Sequence, residues 1–215
     1  MYGPRMEAEF VSKKTGEEIK LVFCPPVNEA REAKIFVDWF NENRVRQYLG
    51  RNYGLSESGE LDWVKGQDKK AEDLIWFVYV GDQPIGSIGL HRIDFKNGQA
   101  ELGICIGNKD FWGKGIATVM EAIVLDYAFE NIVAGGLHKV LVRVFTENIG
   151  SLKVIKDKIG FRPIGVRRED VWCNGGWYDT WLGEMLQEEW KEKRSEVIKS
   201  AGINELLLYP GCEGG

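Results

Sequence analysis

A short apolar strand beginning near Ala100 runs into Trp112-Gly113-Lys114-Gly115-Ile116-Ala117 and then into a long helical pattern reaching Asn131. This succession leaves few folds and few chemistries open. Ile116, Val119, Met120, Ile123, Val124 and Tyr127 recur at spacings of three, four and seven, which predicts a single apolar stripe on an amphipathic helix. Gly135-Gly136 ends it. Two readings of Gly113 and Gly115 stand side by side. Without Cβ atoms they let backbone approach an anion, and the first helical turn offers unpaired N–H groups and a positive dipole end, so the segment is a candidate phosphate cradle. Alternatively they make a tight strand-to-helix turn.

Other phosphate motifs fit less well. Gly107 to Lys114 echoes a P-loop, but five residues separate Gly107 from Gly113, and Gly115 stands where a metal-binding Ser or Thr belongs. Gly113-Lys114-Gly115 with Glu147 beyond the next strand resembles half of a dinucleotide site. It lacks the third glycine, and the acid lies farther on than the usual spacing of about twenty residues.

The 215 residues suffice for one well-buried domain, with 44% hydrophobic and 28% charged residues. A formal net charge of −5 argues against nucleic acid as a partner, since phosphate-backbone binders carry a basic surplus. Cys24, Cys105, Cys173 and Cys212 are scattered and only His91 and His138 are present, so neither a metal site nor a disulfide framework is expected. Met1–Phe10 carries acids and no apolar core, unlike a signal peptide. No apolar run approaches a membrane span, so no membrane partner is expected and the expected location is cytoplasmic.

Glu18–Phe23 alternates like a strand and is stopped by Pro25-Pro26. Asn28 caps a helical pattern to about Glu42, Arg44–Gly54 reads as loop, and Leu61–Gln67 as a short helix. Leu74–Val80 and Ile85–Ile93 flank the turn Gly81-Asp82-Gln83-Pro84, and Asn97-Gly98 leads into Glu101–Ile106. Three antiparallel strands in a row disfavour a parallel dinucleotide fold. Lys139–Phe145, a helix from Asn148 to Gly160, the strands Phe161–Arg168 and Gly176–Met185 around Asn174-Gly175-Gly176, and a charged helix Gln187–Lys199 complete the pattern. Ala201–Gly215 offers no pattern beyond a Gly-rich end.

That order, with Phe111-Trp112-Gly113-Lys114-Gly115-Ile116-Ala117 opening the long helix and Asn148-Ile149-Gly150-Ser151 followed by Lys158-Ile159-Gly160-Phe161, resembles the GNAT superfamily of acyl-CoA-dependent N-acetyltransferases. Within it the motifs are most similar to the ribosomal-protein N-terminal acetyltransferase subgroup. The resemblance implies an α+β fold: a mixed sheet of about seven strands, splayed between the fourth (Glu101–Ile106) and fifth (Lys139–Phe145), in one domain over residues 1–186, with residues 187–215 as a C-terminal helix and loose tail. It implies acetyl-CoA as co-substrate and no metal, an amine acceptor, and a monomer or homodimer.

The resemblance also implies roles for residues. Ile104 and Ile106 pair with the pantetheine arm. Trp112, Gly113, Lys114, Gly115, Ile116, Ala117 and Thr118 hold the pyrophosphate, while Asn148, Ser151 and Lys153 complete the cofactor site. Glu101 accepts the amine proton, against the alternative of a solvent-facing strand glutamate. The tyrosine that many members use as proton donor, seven residues after the asparagine, is replaced by Ile155, and Ser151 takes that role. Trp39, Arg44, Trp172 and Tyr178 border the acceptor. Cys105, in the apolar strand Gly103-Ile104-Cys105-Ile106, reads as a buried core thiol rather than an acyl carrier.

Overall fold

The computed structural model describes residues 1–50, 53–132 and 134–208. In chain order the elements are β1 (Met6–Val11), β2 (Glu18–Cys24), α1 (Glu29–Asn41), α2 (Asn43–Arg46), α3 (Glu57–Gly66), β3 (Leu74–Val80), β4 (Gln83–Asp94) and β5 (Gln99–Ile106). Then come α4 (Ile116–Asn131), β6 (Lys139–Phe145), α5 (Ile149–Lys153), β7 (Arg162–Cys173), β8 (Gly176–Leu186), α6 (Gln187–Ala201) and β9 (Ile203–Leu208). Among the described residues nine strands form one mixed sheet, ordered β7-β8-β6-β5-β4-β3-β2-β1-β9. The α+β architecture is as expected, but the sheet exceeds the expected seven strands by β1 and β9.

Both additional strands have local causes. In β1, Met6, Ala8 and Phe10 turn to the core, while on the other face Glu9 is exposed and Glu7 is buried between Arg5 and Lys20. β9 depends on Gly202, whose φ of +74° ends α6 and whose carbonyl accepts the Val11 N–H at 3.1 Å. That contact sets Ile203 opposite Phe10 and Leu208 opposite Met6. Of the loose tail expected over Ala201–Gly215, residues 203–208 form β9 and those from position 209 lie outside the described residues. Asn28 caps α1 as anticipated: its side chain accepts the Arg31 N–H at 3.0 Å, while Glu32 accepts the Asn28 N–H at 2.6 Å. The expected loop from Arg44 instead contains α2.

α4 differs from its expected amphipathic form. Twelve of its residues are buried, among them Glu121 and Asp126, so the helix runs through the core with apolar surroundings on nearly every side. Asp126 is compensated: Trp190 Nε1 donates to it at 3.0 Å and Arg194 Nη2 at 2.6 Å, which ties α4 to α6. A second apolar cluster on the far side of the sheet packs Phe36, Phe40 and Val64 from α1 and α3 against Phe77 and Tyr79.

The sheet opens in its middle. β5 pairs with β6 in parallel only from Gln99 to Glu101, opposite Lys139–Leu141. The carbonyl of Gly98 accepts the N–H groups of His138 and Lys139 and so pins the two strand starts together. Beyond this, β5 keeps β4 as its partner over Leu102–Ile106, and β6 keeps β8 over Val142–Phe145. Each strand follows its own neighbour, and the two facing edges carry no ladder. The expected splay between Glu101–Ile106 and Lys139–Phe145 is therefore present.

Candidate active site

Two cavities meet at this seam. The larger, about 570 Å³, runs past the end of β5 to the N-terminus of α4 and the start of α5. The smaller, about 290 Å³, occupies the opening itself between Leu102–Ile104 and Val142–Phe145. Ile104, Glu121, Asn148 and Ser151 line both and mark their junction.

At the mouth of the larger cleft lies the glycine-led start of α4. Gly113 and Gly115 have φ of +74° and +91°, the left-handed region that glycine tolerates, so the tight turn and the cradle are one feature. Gly115 caps α4 with no side-chain acceptor. The first-turn N–H groups therefore have no capping side chain, and Gly115, Ile116, Ala117 and Thr118 line the cleft. Trp112 anchors the turn by donating its indole N–H to the Ile106 carbonyl at 2.7 Å. Lys153 and Lys158 on the opposite wall add positive charge. An uncapped helix start, a side-chain-free turn and two lysines fit the pyrophosphate and adenosine phosphate of CoA. The unladdered edge of Leu102–Ile106 fits the amides of its pantetheine arm. Asn148 caps α5 by accepting the Ser151 N–H at 3.2 Å, which holds both residues at the junction.

The smaller cavity is polar along one wall. Glu101 pairs with Arg92 and lies 3.9 Å from Arg143 Nε. Arg143 Nη1 is in turn 3.6 Å from Asp170, which accepts the Thr180 hydroxyl at 2.6 Å. Glu101, Arg143 and Thr180 thus line the cavity from β5, β6 and β8, and Asp170 of β7 ties Arg143 to Thr180.

Of the residues expected at the cofactor site, Lys114 does not line the cleft. Its Nζ is 3.0 Å from Glu17 on the β1–β2 side of the molecule. Arg44 lines the larger cleft. Trp39, Trp172 and Tyr178 are not among the described lining residues of either cavity. Trp39 packs on Phe36 and against Gly107, Trp172 pairs with Trp177 at 5.4 Å between ring centres, and Tyr178 supports the cavity residue Phe145 at 5.7 Å. Cys105 departs from its expected core burial: it is half-buried and reaches the larger cleft, because the outer half of β5 has no partner on its β6 side.

Glu121 was not foreseen. It is 1% exposed, and its burial pushes the carboxyl up to about 8. A sequence signal exists: Ala117, Leu125 and Ala128 lie one turn before, one turn after and two turns after it, so this face is not polar.

A sheet opened along a short parallel pair, with an uncapped glycine-led helix at its mouth, defines an N-acyltransferase architecture. The model of the GNAT acetyltransferase domain matches residues 20–162, and the chain belongs to that family of acetyl-CoA-dependent enzymes. It is 33% identical over 187 residues to the Bacillus subtilis protein named "Putative ribosomal N-acetyltransferase YdaF", covering 84% of this chain and 98% of that one. Among solved structures it is similar to Mycobacterium smegmatis RimJ in complex with CoA-disulfide, with a TM-score of 0.74 and 19% identity over 93% of this chain and 95% of that one. It is also similar to spermidine N-acetyltransferase from Vibrio cholerae in complex with CoA and spermine, with a TM-score of 0.71 and 22% identity over 80% and 98% of the two chains. No helix among the described residues is long and apolar enough to cross a membrane.

Proposed function

We propose that the protein moves the acetyl group of acetyl-CoA to a primary amine, with the α-amino group of a protein or peptide as first acceptor, by direct transfer in a ternary complex. The observation that carries this reading is the junction of two cavities in the open seam, one suited to CoA and the other lined by Glu101 and sharing Ile104, Glu121, Asn148 and Ser151 with it. Bound acetyl-CoA supplies an activated thioester carbonyl. The protein aligns the amine with it and manages two protons. Glu101, on the wall of the smaller cavity, accepts the proton of the attacking amine through water. Ser151 and Asn148 contact the cofactor near the thioester, and Arg44 contributes to the wall on the larger side. Among the described residues Cys24 and Cys173 are free thiols, which suits the reducing cytoplasm that belongs to the same proposal.

The choice of a peptide acceptor is supported by how the acids of the last hairpin are used. Asp179 accepts the Glu169 N–H at 2.8 Å, Asp170 faces Arg143 and Arg167, and Glu184 lies 3.3 Å from Lys139. Few carboxylates are left for a polycation. The name of the Bacillus subtilis relative points the same way, and the Vibrio cholerae neighbour favours a polyamine as the second reading. A screen of free N-terminal peptides, spermidine and an aminoglycoside, read by thiol release from acetyl-CoA, separates them. Turnover of peptides is expected; robust turnover of a small polycation with every peptide inert overturns the choice of acceptor. CoA binding with no acceptor turned over points to a non-catalytic CoA-binding module.

Glu101→Gln is expected to lower kcat by about 10²-fold or more and to flatten the acidic limb of the pH profile, with CoA affinity unchanged. The limb is acidic because a base works only when deprotonated. Intact-mass analysis of enzyme quenched during turnover is expected to find no acetylated Cys105. An unaffected Glu101→Gln variant, or a trapped acetyl-thioester, overturns the route.

A further inference from the structure

Glu121 stands one helical turn beyond Ala117 and faces both the CoA-suited cleft and the smaller cavity. Its Oε2 is buried without a hydrogen-bond partner. Asp126, also buried on α4, shows what a structural acid does in this helix: it takes hydrogen bonds from Trp190 and Arg194. Glu121 has no such partner. An ionised carboxylate left uncompensated in such a place is strongly disfavoured, so the group is held as the neutral acid. Its titration rises toward that of a thiol for this reason, with burial as the cause.

The surrounding charged and titratable groups do not neutralise it. Glu101 and Cys105 face the cavities from β5, Arg143 from β6, and Arg44 with Tyr48 from α2 and the residues after it. Lys153 faces the larger cavity from the end of α5 and Lys158 from the helical turn Val154–Ile159 that follows it. None forms an ion pair with Glu121 among the described residues. A buried, unpartnered acid at a cavity junction has no packing purpose, since Ala117, Leu125 and Ala128 on the same face show that apolar side chains serve there.

The reaction proposed above leaves one proton without a strong source. When the amine attacks, the departing sulfur needs a proton, and Ile155, buried on the wall of the smaller cavity, has none to give. The Ser151 hydroxyl holds its proton far more tightly than a thiol does. We propose that Glu121, from the junction of the two cavities, is the proton donor to the leaving sulfur of CoA. The inference rests on the acetyl-transfer reading. The amine lone pair forms the new C–N bond, the C–S pair returns to sulfur, and Glu121 gives its proton to that sulfur. The surplus amine proton leaves through water to Glu101, and solvent entering the cleft restores the proton on Glu121. No electron is exchanged with any other reagent. A donor whose affinity for the proton is close to that of the acceptor is the efficient arrangement for such a transfer.

The test uses Glu121→Gln, which keeps shape and neutrality but has no acidic proton. Calorimetric titration with CoA is expected to give the same affinity in wild type and variant. Infrared difference spectra of the unliganded protein between pH 6 and pH 9.5 are expected to contain a protonated-carboxyl band that is lost on alkalinisation and absent from the variant. With acetyl-CoA and a free N-terminal peptide or spermidine, kcat of the variant is expected to fall by about 10²–10⁴-fold. Its alkaline limb disappears, whereas Ser151→Ala keeps that limb. A Gln variant that retains the limb, or a wild type without the carboxyl band, overturns the assignment while leaving the acetyl-transfer reading intact. A wild type that binds no CoA, or acetylates no amine, overturns that reading, and the donor role falls with it.

Discussion

Replacing Gly115 with tryptophan is expected to lower CoA affinity by at least 100-fold, about 3 kcal/mol, in calorimetric titration. Two effects combine. Gly115 has φ of +91°, and an L side chain there strains the turn by about 1–2 kcal/mol. The indole also stands at the start of α4, among the residues whose N–H groups are proposed to hold the pyrophosphate. Gly135 separates the two contributions. It shares the left-handed backbone, at φ +88°, and an added Cβ there meets nothing within 4 Å. Gly135→Trp is therefore expected to cost stability without affecting CoA. Unchanged affinity in Gly115→Trp would move the cofactor site elsewhere.

The second large effect is on stability, and its direction follows from burial. The Glu121 carboxyl titrates near an ordinary 4.5 when the chain is unfolded and at about 8 in the fold. Between those values the unfolded chain releases the proton and the native one retains it, so stability falls as pH rises from about 4.5 and levels off above about 8. Below the window both states are protonated and the term vanishes. Glu121→Gln removes the dependence. Denaturant melts at intervals from pH 5 to pH 9 are expected to diverge, the variant gaining on the order of 4 kcal/mol over the wild type at the alkaline end. Parallel curves would mean that Glu121 is solvated in the native state. Taking the difference between the two proteins cancels carboxylates such as Glu7, which Lys20 and Arg5 hold below the usual range in both.

Much of the fold is readable because its signals are local. The turns at Gly81-Asp82-Gln83-Pro84 and Asn97-Gly98, the Asn28 cap and the Gly113–Gly115 bend each need only a few adjacent residues to set their backbone. The two motif segments, in register on that order of elements, bring acetyl-CoA chemistry into view. β1 carried a period-two pattern that is easily passed over in so acidic a segment. β9 carried no usable pattern, since its position comes from Gly202 meeting Val11 across the sheet.

The site divides along the same line. Gly113, Gly115, Asn148 and Ser151 are identifiable from the chain alone, because a left-handed turn and a helix cap are properties of short segments. The proximity of Glu101 to Arg143, the pairing of Lys114 with Glu17, and the removal of Trp39, Trp172 and Tyr178 to supporting positions depend on contacts between distant elements. Most dependent of all is Glu121. Sequence determined that α4 follows a glycine turn and that an acid stands two turns into it. Only tertiary structure decided that β5 and β6 part company beyond Glu101 and that the acid lies dry at the gap between them. The apolar neighbours Ala117, Leu125 and Ala128 hint at burial, but a side chain's solvation is set by what the rest of the chain packs around it.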